Sequence, residues 1–258
     1  MRSLAVSTAI SLMASSASFG AVVFSGTYSE NFNSMGIGSA APAGWRHFAT
    51  SFGSNSTWTS SVLTSGSSGI AAMSVTTAGS TLVAATTPSG NQNDGFNAGV
   101  GGSTTNRAIA TAPTTVAGSI IQLDLTNGTG SALLAGTALN VSFDTIRYTA
   151  ASSANQLPGY WFFYSVDGGS SWTNVGPNPT ITTVPNTVGV TNTVTTLTLG
   201  ANWQSGATMY LRWVDDNATQ TSPDQIIGLD NVAITPTPGT IALLGAVVGV
   251  VGRRRSRV

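Results

Sequence analysis

One stretch near the C-terminal end of the chain carries the oxygen-rich side chains that a cation site needs. Asp215, Asp216 and Asn217 are consecutive, and Asp224 follows seven residues after Asn217. Calcium takes six to eight oxygen ligands, so this loop predicts a calcium site, and calcium is the one cofactor that the sequence suggests. The spacing matches no EF-hand. Because Asp and Asn are also the usual residues of turns, a turn without metal is the alternative.

A run of five aromatic residues begins at Tyr160 and suggests a different chemistry. On a strand, Tyr160, Phe162 and Tyr164 share one face, while Trp161 and Phe163 share the other. If the second face meets solvent, Trp161 is a stacking platform for a sugar ring. If the strand is covered on both faces, as is usual for runs that are apolar on both sides, Trp161 is a core residue.

The residues that catalysis requires are scarce. His47 is the only histidine, Glu30 is the only glutamate, and cysteine is absent. Transition-metal sites draw on several His or Cys ligands, and glycoside hydrolysis commonly uses two facing carboxylates. No Gly-x-Ser-x-Gly elbow places a serine nucleophile. The sequence therefore predicts a protein that is not an enzyme, with His47 and Glu30 in structural roles.

A short pattern follows the aromatic run. Ser165, Asp167, Gly169 and Trp172 fit S-x-D-x-G-x-x-W, which resembles the Asp-box of sialidase-like propellers. The resemblance implies a local hairpin in which Asp167 and the glycines build the turn and Trp172 packs beneath it. A propeller needs several copies and this chain has one, so the pattern favours a single turn between two strands.

Strand-like runs rich in β-branched and aromatic residues recur between clusters of Gly, Asn, Ser and Pro. Apolar and polar residues alternate from Leu139 to Tyr148, as expected for a strand with one buried face. Further strand candidates lie at 190–199, 209–214 and 226–234. These runs predict an all-β fold, a single β-sandwich of jelly-roll type, with long loops at 86–106 and 176–189.

The composition limits the classes of partner. The chain of 258 residues has no cysteine, so a body of this length must be stabilised by its core rather than by disulfides. It has no lysine, and without the terminal segments it keeps four arginines against nine acidic residues, a net charge of −5. Nucleic acid requires clustered Lys and Arg, so a nucleic-acid partner is not expected.

Both ends of the chain carry the marks of sorting signals. Residues 1–21 combine Arg2, an apolar stretch and a small-residue cleavage region, which predicts a signal peptide removed by signal peptidase. At the other end, an apolar segment at 241–252 predicts a transmembrane helix, short for a permanent anchor because a full span needs about 20 residues. It is followed by a basic stop of Arg253, Arg254, Arg255 and Arg257. Arginines hold that end on the cytoplasmic side, so the domain at 22–234 is exported.

The tail at 235–258 resembles the PEP-CTERM sorting signal of Gram-negative bacteria. Its motif is Pro236, Thr237, Pro238, Gly239 and Thr240, with Thr237 where that family has Glu. The resemblance implies an exosortase-type processing enzyme as a partner. It also implies a location in the cell envelope or outside the cell, with transient or permanent anchoring in the inner membrane.

These observations predict an exported, non-catalytic protein of the cell surface or the exopolysaccharide matrix. The alternative is a carbohydrate-binding, lectin-like module that uses Trp161 and calcium, and a glycoside-acting enzyme is the third reading. An exposed aromatic platform would favour the lectin, and two carboxylates in one cleft would favour the enzyme. If the structure has neither feature, the structural role is favoured.

Overall fold

The computed structural model describes residues 20–50, 75–79, 81–88, 95–113, 118–150, 159–175, 185, 187–216 and 225–237. The predicted signal peptide up to residue 19, residues 217–224 of the predicted calcium loop, most of the predicted loop at 176–189 and the tail from Pro238 onwards lie outside these residues. Among the described residues, no helix has the length and apolar character needed to cross a bilayer.

The described residues form fourteen strands in two sheets that pack as a sandwich, which confirms the predicted all-β class. Sheet A contains β1 (Val22–Phe24), β3 (Trp45–Thr50), β4 (Val75–Gly79), β8 (Gly118–Asn127), β10 (Trp161–Ser165), β11 (Thr173–Asn174) and β13 (Thr208–Asp216). Their order across the sheet is β11-β10-β13-β8-β3-β4, and β1 adds to β8 in parallel.

Sheet B, like sheet A, has seven strands. It contains β2 (Tyr28–Glu30), β5 (Val83–Ala85), β6 (Phe96–Gly99), β7 (Arg107–Thr111), β9 (Ala138–Thr149), β12 (Gly189–Thr198) and β14 (Ile226–Pro236). The order is β12-β9-β14-β7-β6-β5, with β2 paired to β14. The long strands from β8 onwards alternate between the sheets, apart from the β10–β11 hairpin, so consecutive segments close both sides of one core.

The core between the sheets is built on aromatic contacts around Trp213. This indole stacks on Phe162 at 4.7 Å between ring centroids and lies 5.5 Å from Trp45, both from sheet A. Phe143 of sheet B meets it edge-on at 5.8 Å. Large aromatic side chains bury the most apolar surface per residue, so this cluster supplies much of the stability of a chain without disulfides.

The register of β13, β8 and β3 sorts their side chains onto two faces. Arg212 and Arg46 both pair with Gln122, so these three residues form one row across the sheet. Their chain neighbours Trp213 and Trp45 point into the core. Because successive side chains on a strand alternate, the row of Arg46, Gln122 and Arg212 lies on the outer face of sheet A.

Two predicted boundaries need correction. The stretch at 86–106, predicted to be a long loop, contains β6, where Phe96 and its neighbours are buried and pair with β7. The last strand extends beyond Ile234, because Pro236 pairs with Leu139 and the Thr237 amide donates to the Ala138 carbonyl at 3.1 Å. Proline is tolerated there because it stands at the end of the strand, where one missing donor costs little.

Candidate functional site

The outer face of sheet A carries a connected network of charged and polar side chains. We call Arg46, Asp124, Gln122 and Arg212 the arginine row. Arg46 forms an ion pair with Asp124 at 2.6 Å. The Gln122 amide donates to Asp124 at 2.6 Å, and its oxygen accepts from Arg212 Nε at 2.6 Å. Each hydrogen bond fixes the next group, so the row presents its side chains in one set geometry.

Aromatic rings support both guanidinium groups. The guanidinium carbon of Arg212 lies 4.1 Å from the Trp172 ring centroid, and that ring stacks in turn on Tyr210 at 6.4 Å. Arg46 and Arg212 each lie 5.3 Å from the centroid of the same ring, Phe48. Cation–π contacts of this kind hold a planar guanidinium in place while leaving its edge accessible.

Trp172 is held by the turn that links β10 and β11. Ser165 donates to Asp167 at 2.7 Å, and the Asp167 carboxylate accepts from the backbone and hydroxyl of Ser171. The hydrogen bonds from Ser171 hold the pKa of Asp167 at about 2. Gly169 adopts a left-handed φ of 86°, and its carbonyl accepts from the Trp172 indole at 3.0 Å. The predicted hairpin with Trp172 packed against it is confirmed.

The electrostatics of the row follow from partial burial. Arg46 has a side chain 16% exposed, and Asp124 one 7% exposed. Burial, and after it the charge of Arg46, lowers the pKa of Arg212 to about 10, so Arg212 still carries its proton at neutral pH. Two guanidinium groups and one carboxylate leave the row with one net positive charge.

Trp161 lies on the same outer face but offers no ring to a ligand. It is 1% exposed and packs with Phe48, Phe163 and Trp172 in an apolar cluster beside the arginine row. Its neighbours across the strands, Val214 and then Ile120, are also buried. The predicted sugar-stacking platform at Trp161 is therefore corrected: both faces of this strand are covered, which is the alternative that its aromatic run allowed.

The predicted calcium ligands are not brought together in the described residues. Asp215 is fully buried, accepts from Thr111 Oγ1 at 2.6 Å and from Gln225 Nε2 at 2.8 Å, and lies near Arg147. Its carboxylate belongs to a polar network inside the sandwich and not to a solvent-facing loop. The Asp216 side chain, Asn217 and Asp224 lie outside the described part. Within the described residues no cluster of three or more His, Asp or Glu side chains could hold a metal.

His47 and Glu30, the candidates for acid–base catalysis in the sequence, do not belong to the arginine row. His47 is 6% exposed on the core side of β3, and burial lowers its pKa to about 4, so it is neutral at pH 7. Glu30 accepts a hydrogen bond from the Phe32 amide at 2.7 Å and shapes the chain after β2. It also lines a shallow cleft of about 310 Å³ together with Ser29, Asn31 and Asn231.

A second polar group lies on the outer face of sheet B. Asp144 accepts from Asn192 at 2.7 Å and from Asn231 at 2.8 Å. Asp230 pairs with Asp144 across the strands and is buried, and this burial raises its pKa to about 6. The amides of Asn192 and Asn231 already satisfy Asp144, so this group stabilises the bulge in β14.

None of the four residues of the arginine row stood out from the sequence. Arg46 follows Trp45, and Arg212 stands between Leu211 and Trp213, so each lies at an outward position of a strand. The available signal was this alternation: a charged residue between two core residues must face away from the core. Asp124 and Gln122 lie on β8, which was not among the strands predicted from the sequence.

Comparisons with known proteins assign no function to this chain. No family model and no curated protein matches the sequence. Among solved structures, the chain is similar to the CBM22-1 xylan-binding domain of Paenibacillus barcinonensis Xyn10C, at 12% identity and a TM-score of 0.38, over 81% of this chain and 92% of that one. It is also similar to the Stig cyclase Fisc from Fischerella sp. TAU, at 15% identity and a TM-score of 0.30, over 52% of this chain and 65% of that one. Neither similarity is high enough to bear on function.

Proposed function

We propose that this jelly-roll-like β-sandwich is an exported, non-catalytic protein of the cell surface or exopolysaccharide matrix that binds polysaccharide on the outer face of sheet A. The arginine row carries the proposal. Its hydrogen bonds and ring contacts hold Arg46, Gln122 and Arg212 in place before any ligand arrives. Pre-organised groups lose little entropy on binding, which is how a shallow surface reaches useful affinity.

The chemistry of the row suits sugars. A sugar ring presents hydroxyl groups around its edge and C–H groups on its faces. The partly exposed guanidinium groups donate hydrogen bonds, and partly exposed Tyr210 supplies an aromatic surface beside them. The row crosses β13, β8 and β3, and neighbouring strands lie about 4.8 Å apart, so a chain of sugars rather than a single ring fits along it.

The proposed export of the protein is based on the sequences of its two ends. The signal peptide and the PEP-CTERM-like tail support export, retention in the inner membrane and processing by an exosortase-type enzyme. Pro236 and Thr237 bond to β9, so the first residues of the sorting motif still belong to the last strand of the sandwich. A matrix protein held in this way places its sheet faces outside the membrane, where polysaccharide is available.

A sedimentation assay tests the binding proposal. The purified protein is mixed with the insoluble matrix polysaccharide of its host, and the fraction of protein left in the supernatant is measured. We expect depletion that Gln122→Ala weakens, because this substitution removes the amide that joins Asp124 to Arg212. Asn192→Ala, on the outer face of sheet B, is the matched control. No depletion contradicts the proposal, and release of new reducing ends during the assay supports an enzyme instead.

A further inference from the structure

The accessible positive charge of the domain is concentrated in one place. Of the four arginines in the body, Arg107 and Arg147 are each 1% exposed, whereas Arg46 and Arg212 are both partly exposed. The chain has no lysine, and His47 is buried and neutral. In the described part of a domain that carries nine acidic residues and is acidic overall, the partly exposed cations therefore all lie in the arginine row.

The two arginines differ in how their charges are compensated. Arg46 forms the ion pair with Asp124, the one ion pair among the described residues, and Arg212 has no carboxylate partner there. Arg212 is nevertheless partly buried, and the charge of Arg46 opposes its own, an effect that the charge of Asp124 offsets only in part. A partly desolvated cation that shares its one nearby carboxylate with a second cation is unfavourable, so an anion at this point would relieve a cost that the folded protein already bears.

The orientation of Arg212 defines the shape of such an anion. Its Nε is used by Gln122, and its plane is fixed against Trp172. The two terminal nitrogens donate no hydrogen bond to another described residue. A guanidinium that keeps this end free presents two parallel N–H groups, which match the two oxygens of a carboxylate.

We propose that the arginine row recognises a sugar carboxylate, so that the polysaccharide bound by the outer face of sheet A is an acidic one that contains uronic acids. Arg212 takes the carboxylate through its terminal nitrogens. Arg46, which is also partly exposed, donates to a neighbouring hydroxyl group, while the buried Gln122 and Asp124 hold the two arginines in position. This inference rests on the proposed polysaccharide-binding function and adds the class of sugar.

The test compares polymers that differ in one group. Affinity electrophoresis of the purified protein is run in gels that contain polygalacturonate, its methyl-esterified form or dextran sulfate. Esterification removes the carboxylate charge and keeps the backbone, so it is the matched ligand control. We expect polygalacturonate to bind at least about tenfold more tightly than the ester, and more tightly than dextran sulfate.

Each other outcome has a distinct meaning. Equal retardation by polygalacturonate and its ester leaves polysaccharide binding intact and overturns the carboxylate proposal. Stronger retardation by dextran sulfate means general attraction of anions and also overturns it. No retardation by any of the three polymers also overturns the carboxylate proposal, and depletion in the sedimentation assay with matrix polysaccharide then decides separately whether the proposed function holds.

Substitutions at Arg212 separate charge from geometry. Arg212→Gln is expected to abolish the preference for polygalacturonate over its ester, and Arg212→Lys to restore only part of it, because an ammonium group cannot make the paired contact. Asn192→Ala should leave the preference unchanged. Thermal unfolding of each variant checks that the fold is retained. A preference that survives intact in folded Arg212→Gln overturns the proposal.

Discussion

The guanidinium carbon of Arg212 lies 4.1 Å from the ring centroid of Trp172, which places a charged strand residue against the last residue of the β10–β11 turn. The turn therefore does more than reverse the chain. It places the ring of Trp172 against the guanidinium group of Arg212 on the neighbouring strand. The local sequence pattern at Ser165 to Trp172 therefore helps to fix the position of Arg212 in the arginine row.

Trp172 and Trp161 are expected to respond differently to substitution. Both are buried in the same apolar cluster, so Trp172→Leu and Trp161→Leu should each lower the free energy of unfolding by about 2–4 kcal/mol. Only Trp172 contacts Arg212, so only Trp172→Leu should also weaken polysaccharide binding by folded protein. Urea unfolding and affinity electrophoresis on the same samples check this. Equal loss of binding in both variants contradicts the role assigned to Trp172.

Asp167 should stabilise the turn in a pH-dependent way. Asp167→Ala removes acceptors for Ser165 and Ser171, and we expect a loss of about 1 kcal/mol, kept small by exposure to solvent. The folded pKa of about 2 lies below the ordinary 3.8, so this stability is present above pH 4 and is lost as the pH falls towards 2. Urea midpoints at pH 7 and pH 2.5 measure it. A variant equally destabilised at both pH values contradicts the assignment.

His47 should make the fold sensitive to mild acid. Burial lowers its folded pKa to about 4 from the ordinary 6.5, so the unfolded chain takes up a proton first as the pH falls. Stability is therefore full above pH 6.5 and decreases between pH 6.5 and 4, by on the order of 3 kcal/mol. His47→Gln should remove this decrease in urea unfolding experiments.

Asp230 acts in the opposite direction and needs its own control. Its folded pKa is raised to about 6, so it favours the folded state at low pH and loses this contribution as the pH rises through 6. The His47 comparison is therefore best repeated in an Asp230→Asn background. If the acid-dependent loss is the same with and without His47, the burial of this imidazole is not its cause.

The terminal signals predict the mass of the mature protein. Protein recovered from the host should lack residues 1–21 and the arginine cluster, because both segments are read as processing signals. Replacing Arg253, Arg254, Arg255 and Arg257 by Gln should reduce retention in the inner membrane, because these charges hold the helix end on the cytoplasmic side. Intact-mass measurement after fractionation decides this, and a mature protein that keeps its arginine-rich tail contradicts the processing proposal.

The sequence was informative where period and turn chemistry were strong. Alternation at Leu139 to Tyr148 predicted β9, and Ser165 to Trp172 predicted a hairpin, since both signals are local. β8 was not predicted, although Ile121, Leu123 and Leu125 alternate with polar residues. Its polar positions hold a Gln and an Asp, and these residue types are not typical of strands. β6 was not predicted because its stretch of the sequence is rich in glycine and asparagine, residues that usually indicate loops.

The site could not be predicted because it depends on register. Arg46 and Arg212 are far apart in the chain, and both flank Gln122 only through pairings with β8. Single-strand periodicity gives the face of a side chain but not its neighbours across the sheet. The burial of Trp161 is a similar case, because an apolar run can be covered on one face or on two, and only the fold decides which.

Nuclear magnetic resonance titration tests the central claim most directly. The side-chain N–H signals of Arg46, Arg212 and Trp172 report on the outer face of sheet A, and the Asn192 amide reports on sheet B. With oligogalacturonate, binding on sheet A predicts shifts in the arginine and Trp172 signals that saturate, with Asn192 unchanged. Shifts confined to Asn192, or an unchanged spectrum at the highest oligogalacturonate concentration, contradict recognition of acidic polysaccharide by the arginine row.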